Sequence, residues 1–288
     1  MVRSLIIISF FVILNSSFAQ SRIDKNLQKQ IQSLIQGFRG DIGVYVKDLK
    51  RNKIAAINVD TVFPTASMVK IPILIGVMDK IEKGELQYHQ ELIYKDSLLY
   101  EGVDILGSFK NDEKTELSKI MMLMLTMSDN TASLWLQSLA GTGTRINRIL
   151  DSIGFNDTRV NSRTPGREDY RSIYGWGQTT PREMAELVEK IYLRKIVSEK
   201  ASDQMMRLLG RNYWDDQAIS AIPPTIQLFS KNGAVNASRS EVVLVNAPRT
   251  PYIFCVCTKN NKDESWAQDN EAWVLVRKIS SLLWKHFN

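Results

Sequence analysis

The sequence predicts an α/β chain built as an α+β sandwich. A five-stranded antiparallel sheet is flanked by terminal helices, with a large all-helical lobe inserted between strands two and three. Three observations predict it. Five short apolar runs have strand character, two near the start and three near the end, with connections short enough for hairpins. Between them, from Pro64 to Leu209, the pattern is almost wholly helical. Amphipathic helices open and close the globular part, each needing a sheet face to cover.

Residues 1–19 stand apart. Arg3 supplies a positive start, Leu5 to Leu14 is apolar except for Ser9, and Ser17-Phe18-Ala19 places small residues at the cleavage-defining positions. This reads as a secretory signal peptide, too short in its apolar part to remain as an anchor. No cysteine follows the cleavage site, which argues against a lipoprotein. The expected mature chain starts at Gln20 and is exported, periplasmic or secreted, with no stable membrane anchor after signal removal.

Leu27, Ile31, Leu34, Ile35 and Phe38 recur at helical spacing until Gly40 stops the helix. Strands are expected at Ile42–Val46 and Ile54–Val59, joined by the polar turn Asp48 to Lys53. Within the helical stretch, Thr180-Pro181-Arg182-Glu183 is a capping box with proline at the first helical position. The methionine-rich run Ile120 to Met127 reads as core. Strand signals return at Ile226–Phe229, Glu241–Val245 and Tyr252–Thr258. Trp273, Val276, Ile279, Leu283 and Phe287 then mark the closing helix. Residues 20–288 therefore form one domain, a sheet lobe of 20–63 and 211–288 and a helical lobe of 64–210, with a cleft between them.

Composition narrows the function classes. With 44% hydrophobic and 24% charged residues the chain has material for a core. The net charge of +6 comes from scattered basic residues, not a stripe, so nucleic acid is not an expected partner. Cys255 and Cys257 alternate in an apolar strand and share a face, where bridging would distort the strand; free buried thiols are expected. His89 and His286 show no metal-ligand spacing, which argues against a zinc hydrolase, and two histidines leave little for a Ser-His-Asp triad.

Chemistry concentrates in three strings: Ser67-Met68-Val69-Lys70, Ser128-Asp129-Asn130 and Lys231-Asn232-Gly233. Ser67 lies at the start of an apolar-periodic helix, near the positive end of its dipole. Lys70, three residues on, shares its face and can take the hydroxyl proton if burial and a nearby cation lower its pKa. Singly, the strings are compatible with a capped helix, a polar helix junction and a turn directly after the Ile226–Phe229 strand. In this order, with Ser67 and Ser128 61 positions apart, they resemble the active-site motifs of the penicillin-recognising serine enzymes, specifically the class A β-lactamases.

The resemblance covers essentially the whole mature chain. It implies Ser67 as the acylated nucleophile, Lys70 as its proton acceptor, Ser128 as the relay to the leaving nitrogen, and Lys231 as the cation holding relay and substrate carboxylate. Asn130 would bind the substrate amide, and the N–H groups of Ser67 and Ala234, beside Gly233, would form the oxyanion hole. Arg239, one residue off the commonest offset, would assist with the carboxylate. No metal or organic cofactor is implied.

Two departures from the family pattern stand out. Asn232 replaces the usual threonine or serine after the motif lysine. In the loop Thr158 to Tyr170, matching Thr158-Arg159 to the family's loop entry puts Thr164 where the family carries the glutamate that activates the deacylating water. Glu168 and Asp169 are the nearest carboxylates, and Glu168 is the candidate replacement base. The expected function is an exported, monomeric serine β-lactamase acting on small β-lactam substrates. The alternatives are a penicillin-binding D,D-peptidase-like acyltransferase with slow deacylation, acting on peptidoglycan stem peptides, and a non-catalytic periplasmic domain binding either ligand.

Overall fold

Four of the five expected runs form eight-residue strands and the other a five-residue strand, and a short sixth joins them. The computed structural model describes residues 21–102 and 104–288; the expected signal peptide and Gln20 lie outside the described residues. The strands are β1 (Arg22–Ile23), β2 (Asp41–Asp48), β3 (Lys53–Ile57), β4 (Phe63–Pro64), β5 (Glu91–Ile93), β6 (Lys114–Glu116), β7 (Arg159–Val160), β8 (Gly177–Thr179), β9 (Leu228–Val235), β10 (Ser238–Val245) and β11 (Tyr252–Lys259). The helices are α1 (Lys25–Ile35), α2 (Lys70–Glu82), α3 (Leu117–Met122), α4 (Asn130–Leu139), α5 (Thr142–Ser152), α6 (Glu168–Tyr174), α7 (Pro181–Tyr192), α8 (Glu199–Leu209) and α9 (Glu271–Phe287).

The main sheet has six strands in the order β1-β3-β2-β11-β10-β9, one more than the five expected. The addition is β1, which pairs parallel with β3 through Arg22↔Lys53 and Ile23↔Ile54. Two residues are too few to show period-two alternation, so this strand exists only through its partner. All other pairings in the sheet are antiparallel.

The expected end of the third long strand needs correction as well. Lys231-Asn232-Gly233 does not follow a strand at Ile226–Phe229; it lies inside β9, whose pairing with β10 runs from Leu228↔Val245 to Val235↔Ser238. Lys231 is fully buried, so the polar letters conceal a ladder position.

The sheet separates two cores. On one face α1 and α9 pack Leu27, Ile31, Val276, Ile279 and Leu283 against Val44, Val243, Phe254 and Val256. On the other, Val242, Leu244, Ile253 and Cys255 meet the helical lobe, with α2 at its centre. Every residue from Lys70 to Met78 is buried, so α2 has no solvent face until its last turn. The lobe also holds two small sheets, β4-β8-β7 and β5-β6, where the sequence shows almost only helix. Their two- and three-residue strands are set by tertiary pairing. Met121 and Met124 are core, whereas Met122 turns outward. Cys255 and Cys257 are buried free thiols with Sγ atoms 3.6 Å apart.

Candidate active site

Ser67 sits in a tight turn clamped from two sides. Residues Ala66–Val69 form a 3-10 turn leading into α2, entered through Ala66 at φ +45°. Thr65 donates its N–H to Gly177 O (2.9 Å), tying the turn to β8. On the other side β9 comes so close that a Cβ on Gly233 would lie 2.6 Å from Thr65 O and 2.7 Å from Ser67 N. Glycine is required there by close backbone approach, not by a positive φ.

Ser128 is carried in by a different device. Leu123–Met127 forms a π-helical turn that ends with Ser128 in the left-handed region, at φ 62°. Asp129 then caps α4, accepting from Ala132 N (2.7 Å). Its other oxygen accepts from Ile105 N (2.6 Å) and Leu106 N (2.8 Å), fastening the 104–106 loop beside the site. Asp129 is fully buried, and these three N–H groups occupy its carboxylate. The same rim carries an edge-to-face contact between Tyr100 and Trp176, 5.0 Å apart.

Lys70 joins the two serines. Its Nζ lies 3.0 Å from Ser67 Oγ, 3.0 Å from Ser128 Oγ, 2.5 Å from Ser128 O and 3.0 Å from Asn130 Oδ1. It is fully buried while Ser67 and Asn130 are partly open. Burial first, then repulsion by Lys231, holds the Lys70 amine well below the ordinary lysine range, with Asp129 opposing the shift. An amine in that state has a lone pair for the Ser67 proton and can still donate to Ser128 O and Asn130 Oδ1.

Lys231 is also fully buried, and burial lowers its pKa to about 7 against the opposing pull of Glu241. Its Nζ donates to Asn232 O (3.1 Å) and Asn232 Oδ1 (3.3 Å), with no bond to Ser128, so its effect on Lys70 acts through space. Asn212 was not singled out from sequence. Its amide donates to Ser230 Oγ (3.0 Å) and Asn232 Oδ1 (3.5 Å). Nothing near Asn212 in the chain marks it; only the fold brings residue 212 to β9.

The structure brings together Ser67, Lys70, Ser128, Asn130, Lys231, Asn232, Gly233 and, next on the same strand, Ala234. It does not bring Arg239 to them. On β10 Arg239 lies opposite Ala234, whereas Lys231 lies opposite Val242; strand alternation therefore sends Arg239 to the face covered by the terminal helices. Its guanidinium donates to the carbonyls of Asn236, Ser238, Glu264 and Ser265 and stacks 4.7 Å from the Trp266 ring. That arginine latches loops; the one-residue offset is what turns it to the wrong face.

Glu168 is not brought to Ser67 either. It is exposed at the first position of α6, where Oε1 accepts from Gly166 N (3.2 Å). Thr164 is buried, but its Oγ1 donates to Ser162 O (2.9 Å) and fills the space a side chain on Gly143 of α5 would need. The interior of this loop is held by amides and an arginine: Arg167 donates to Asn161 Oδ1 (3.0 Å) and Gln178 Oε1 (2.7 Å). Among the described residues no carboxylate is hydrogen-bonded to Ser67 or Lys70.

Comparison with known proteins gives a consistent picture. The model of the β-lactamase enzyme family matches residues 26–287. β-Lactamase VEB-1 of Pseudomonas aeruginosa is 23% identical, over 98% of this chain and 96% of its own length. The extended-spectrum β-lactamase PER-1 of the same organism is 21% identical, over 94% and 89%. Among solved structures, PBP-A superposes with a TM-score of 0.82 at 23% identity, covering 93% of this chain and 97% of that one. A PBP-A variant captured as an acyl-enzyme with penicillin G gives the same score and identity, covering 93% and 98%.

Proposed function

The chain belongs to the β-lactamase enzyme family, and from that premise we propose that it is an exported serine β-lactamase working through an acyl-enzyme on Ser67. The observation that carries this reading is the buried amine of Lys70, 3.0 Å from the hydroxyls of both Ser67 and Ser128. In the proposed cycle Ser67 Oγ attacks the lactam carbonyl while neutral Lys70 takes its proton. The N–H groups of Ser67 and Ala234 receive the oxyanion. As the C–N bond breaks, the proton passes from Lys70 through Ser128 Oγ to the lactam nitrogen, leaving an ester on Ser67. Water then cleaves the ester, giving a proton to Lys70, which returns it to the departing Ser67 Oγ, and the ring-opened acid leaves with Ser67 and neutral Lys70 restored. A substrate carboxylate beside Lys231 would favour its charged form. Asn232 and Lys231 supply the polar groups for that carboxylate, since Arg239 faces away.

One observation favours the second reading, a D,D-peptidase-like acyltransferase with slow ester cleavage. With Glu168 exposed on α6 and Thr164 packed on α5, Lys70 is the base nearest Ser67 for both halves of the cycle. The similarity to PBP-A, whose variant was captured with penicillin G still attached, is in keeping with this. The signal-peptide pattern of residues 1–19, a basic start, an apolar run and small cleavage-site residues, supports export in either case.

Intact-protein mass spectrometry after mixing with benzylpenicillin separates the readings. We expect an adduct on the parent and none on Ser67→Ala. An adduct that clears and re-forms while drug lasts establishes the hydrolase; one that persists, with release of D-alanine from a D-Ala-D-Ala peptide, establishes the acyltransferase. Saturable binding with no adduct would mean a non-catalytic binding domain and would end the leading proposal.

A further inference from the structure

A cavity of about 670 Å³ lies between the C-terminal end of α8 and the beginning of β9, lined in part by Arg211, Asn212 and Asp215. Its volume falls in the range of small-molecule sites. Neither Ser67, Lys70 nor Ser128 lines it. The floor is apolar, formed by Met206, Leu209 and Phe229, and the rim carries the exposed side chains of Arg207 and Arg211. Among the described residues neither of these two arginines pairs with a carboxylate. Asp203, also on the rim, is held by Arg194 at 2.9 Å, and Asp215 is the remaining acid, so the uncommitted charge is positive. An apolar floor under two free guanidinium groups matches an apolar tail bearing an anionic head.

One short segment, residues 212–214, touches both this cavity and the elements of the cleft. Asn212 lines the cavity and donates to Ser230 Oγ and Asn232 Oδ1. Tyr213 N–H is held by Thr126 O (3.1 Å), and Trp214 Nε1 donates to Met127 O (2.9 Å), next to Ser128. A ligand that draws on Arg211 therefore pulls on the residue preceding Asn212 and on contacts to both Asn232 and the Ser128 turn.

We propose that this cavity is a second binding site, for an amphiphilic anion whose tail lies on Met206, Leu209 and Phe229 and whose head meets Arg207 and Arg211, and that its occupancy alters acylation of Ser67 through Asn212. The coupling rests on the proposed function of the Ser67 site; the binding does not.

Isothermal titration of the mature protein with decanoate tests the binding. We expect saturable binding of one decanoate, weakened about tenfold or more in the Arg207→Gln, Arg211→Gln double variant, and none for decyltrimethylammonium. Decyl phosphate binding more tightly than decanoate would make the head group a phosphate ester and leave the site standing. Undiminished binding in the double variant, or equal binding of the cationic amphiphile, overturns the site. For the coupling, saturating decanoate should change the benzylpenicillin acylation rate of the parent at least twofold. It should leave the rate of Asn212→Ala unchanged while still binding to that variant. Decanoate binding with no change in the parent's rate overturns the coupling. Binding to a protein that benzylpenicillin never acylates removes the Ser67 reading and the coupling together, while the binding site stands.

Discussion

Lys70 and Lys231 are two buried amines to which the proposed cycle gives opposite work. Lys70 must be neutral to take the Ser67 proton, and its pKa is depressed by burial and by Lys231. Lys231 must be charged to hold an anion, and its own pKa lies at about 7 before substrate arrives. Acylation should therefore fall on the acid side as Lys70 gains a proton and on the alkaline side as Lys231 loses one, with both limbs belonging to the coupled pair. Acylation rates against pH for the parent and Lys231→Arg test this. The alkaline limb should move up in the variant, because guanidinium keeps its proton. Equal limbs in both proteins would remove Lys231 from the account.

Also at this scale, placing a glutamate at residue 164 should not restore fast ester cleavage, despite the motif alignment. Thr164 is packed against α5, so the longer side chain overpacks that contact, at about 1–3 kcal/mol. Thr164→Glu should lower the urea midpoint and leave adduct lifetime unchanged. A sharply shortened lifetime would show that the side chain can reach Ser67 after all.

At the scale of elements, the site is made by four segments meeting: the 3-10 turn before α2, the π-turn before α4, the start of β8 and the middle of β9. Asp129 joins α4 to the 104–106 loop through three backbone N–H groups. Asp129→Ala loses the helix cap and leaves the Ile105 and Leu106 N–H groups without their acceptor, at about 2–4 kcal/mol in denaturant unfolding. A loss below half a kcal/mol would mean that water replaces the carboxylate. Gly233 joins β9 to the Ser67 turn. Gly233→Ala puts a methyl group against Thr65 O and Ser67 N, so the turn must move. We expect acylation to drop at least about 10²-fold, as when an oxyanion donor is lost, with an unchanged far-UV circular dichroism spectrum.

For the whole molecule, the sheet keeps apart a nearly all-apolar core under α1 and α9 and a polar seam at the cleft, and Glu241 lies buried on the side of the terminal helices. Its Oε2 accepts from Ala218 N (3.0 Å), and burial pushes its carboxyl up to about 8. The folded chain thus holds a proton that the unfolded chain, with an ordinary value of 4.5, releases earlier. Stability from this group is fully present below about pH 4.5 and is lost as pH rises through about 8. Glu241→Gln keeps the acceptor for Ala218 without titrating. The Tm difference between variant and parent should therefore grow in the variant's favour from about pH 5 to about pH 8. A constant difference would show that Glu241 does not carry the pH dependence.

The sequence by itself determined the antiparallel sheet, the helical insert, the covering helices and the identity of the Ser67, Ser128 and Lys231 motifs. Each rests on local information: period-two and helical spacing, caps, and short strings in a fixed order. Only the tertiary structure decided which face a residue occupies and which segments meet. β1 is visible only through its pairing with β3, and Lys231-Asn232-Gly233 belongs to a strand because β10 pairs along its whole length. Arg239 is turned away by strand parity, Glu168 is left at an exposed helix start, and Asn212 is brought to β9 from a loop without a motif. For Glu168 and Asn212 the packing of segments distant in the chain decides, and for Arg239 the ladder does. In a strand, side-chain direction depends on register against a partner distant in the chain, and a one-residue shift carries the side chain to the opposite face.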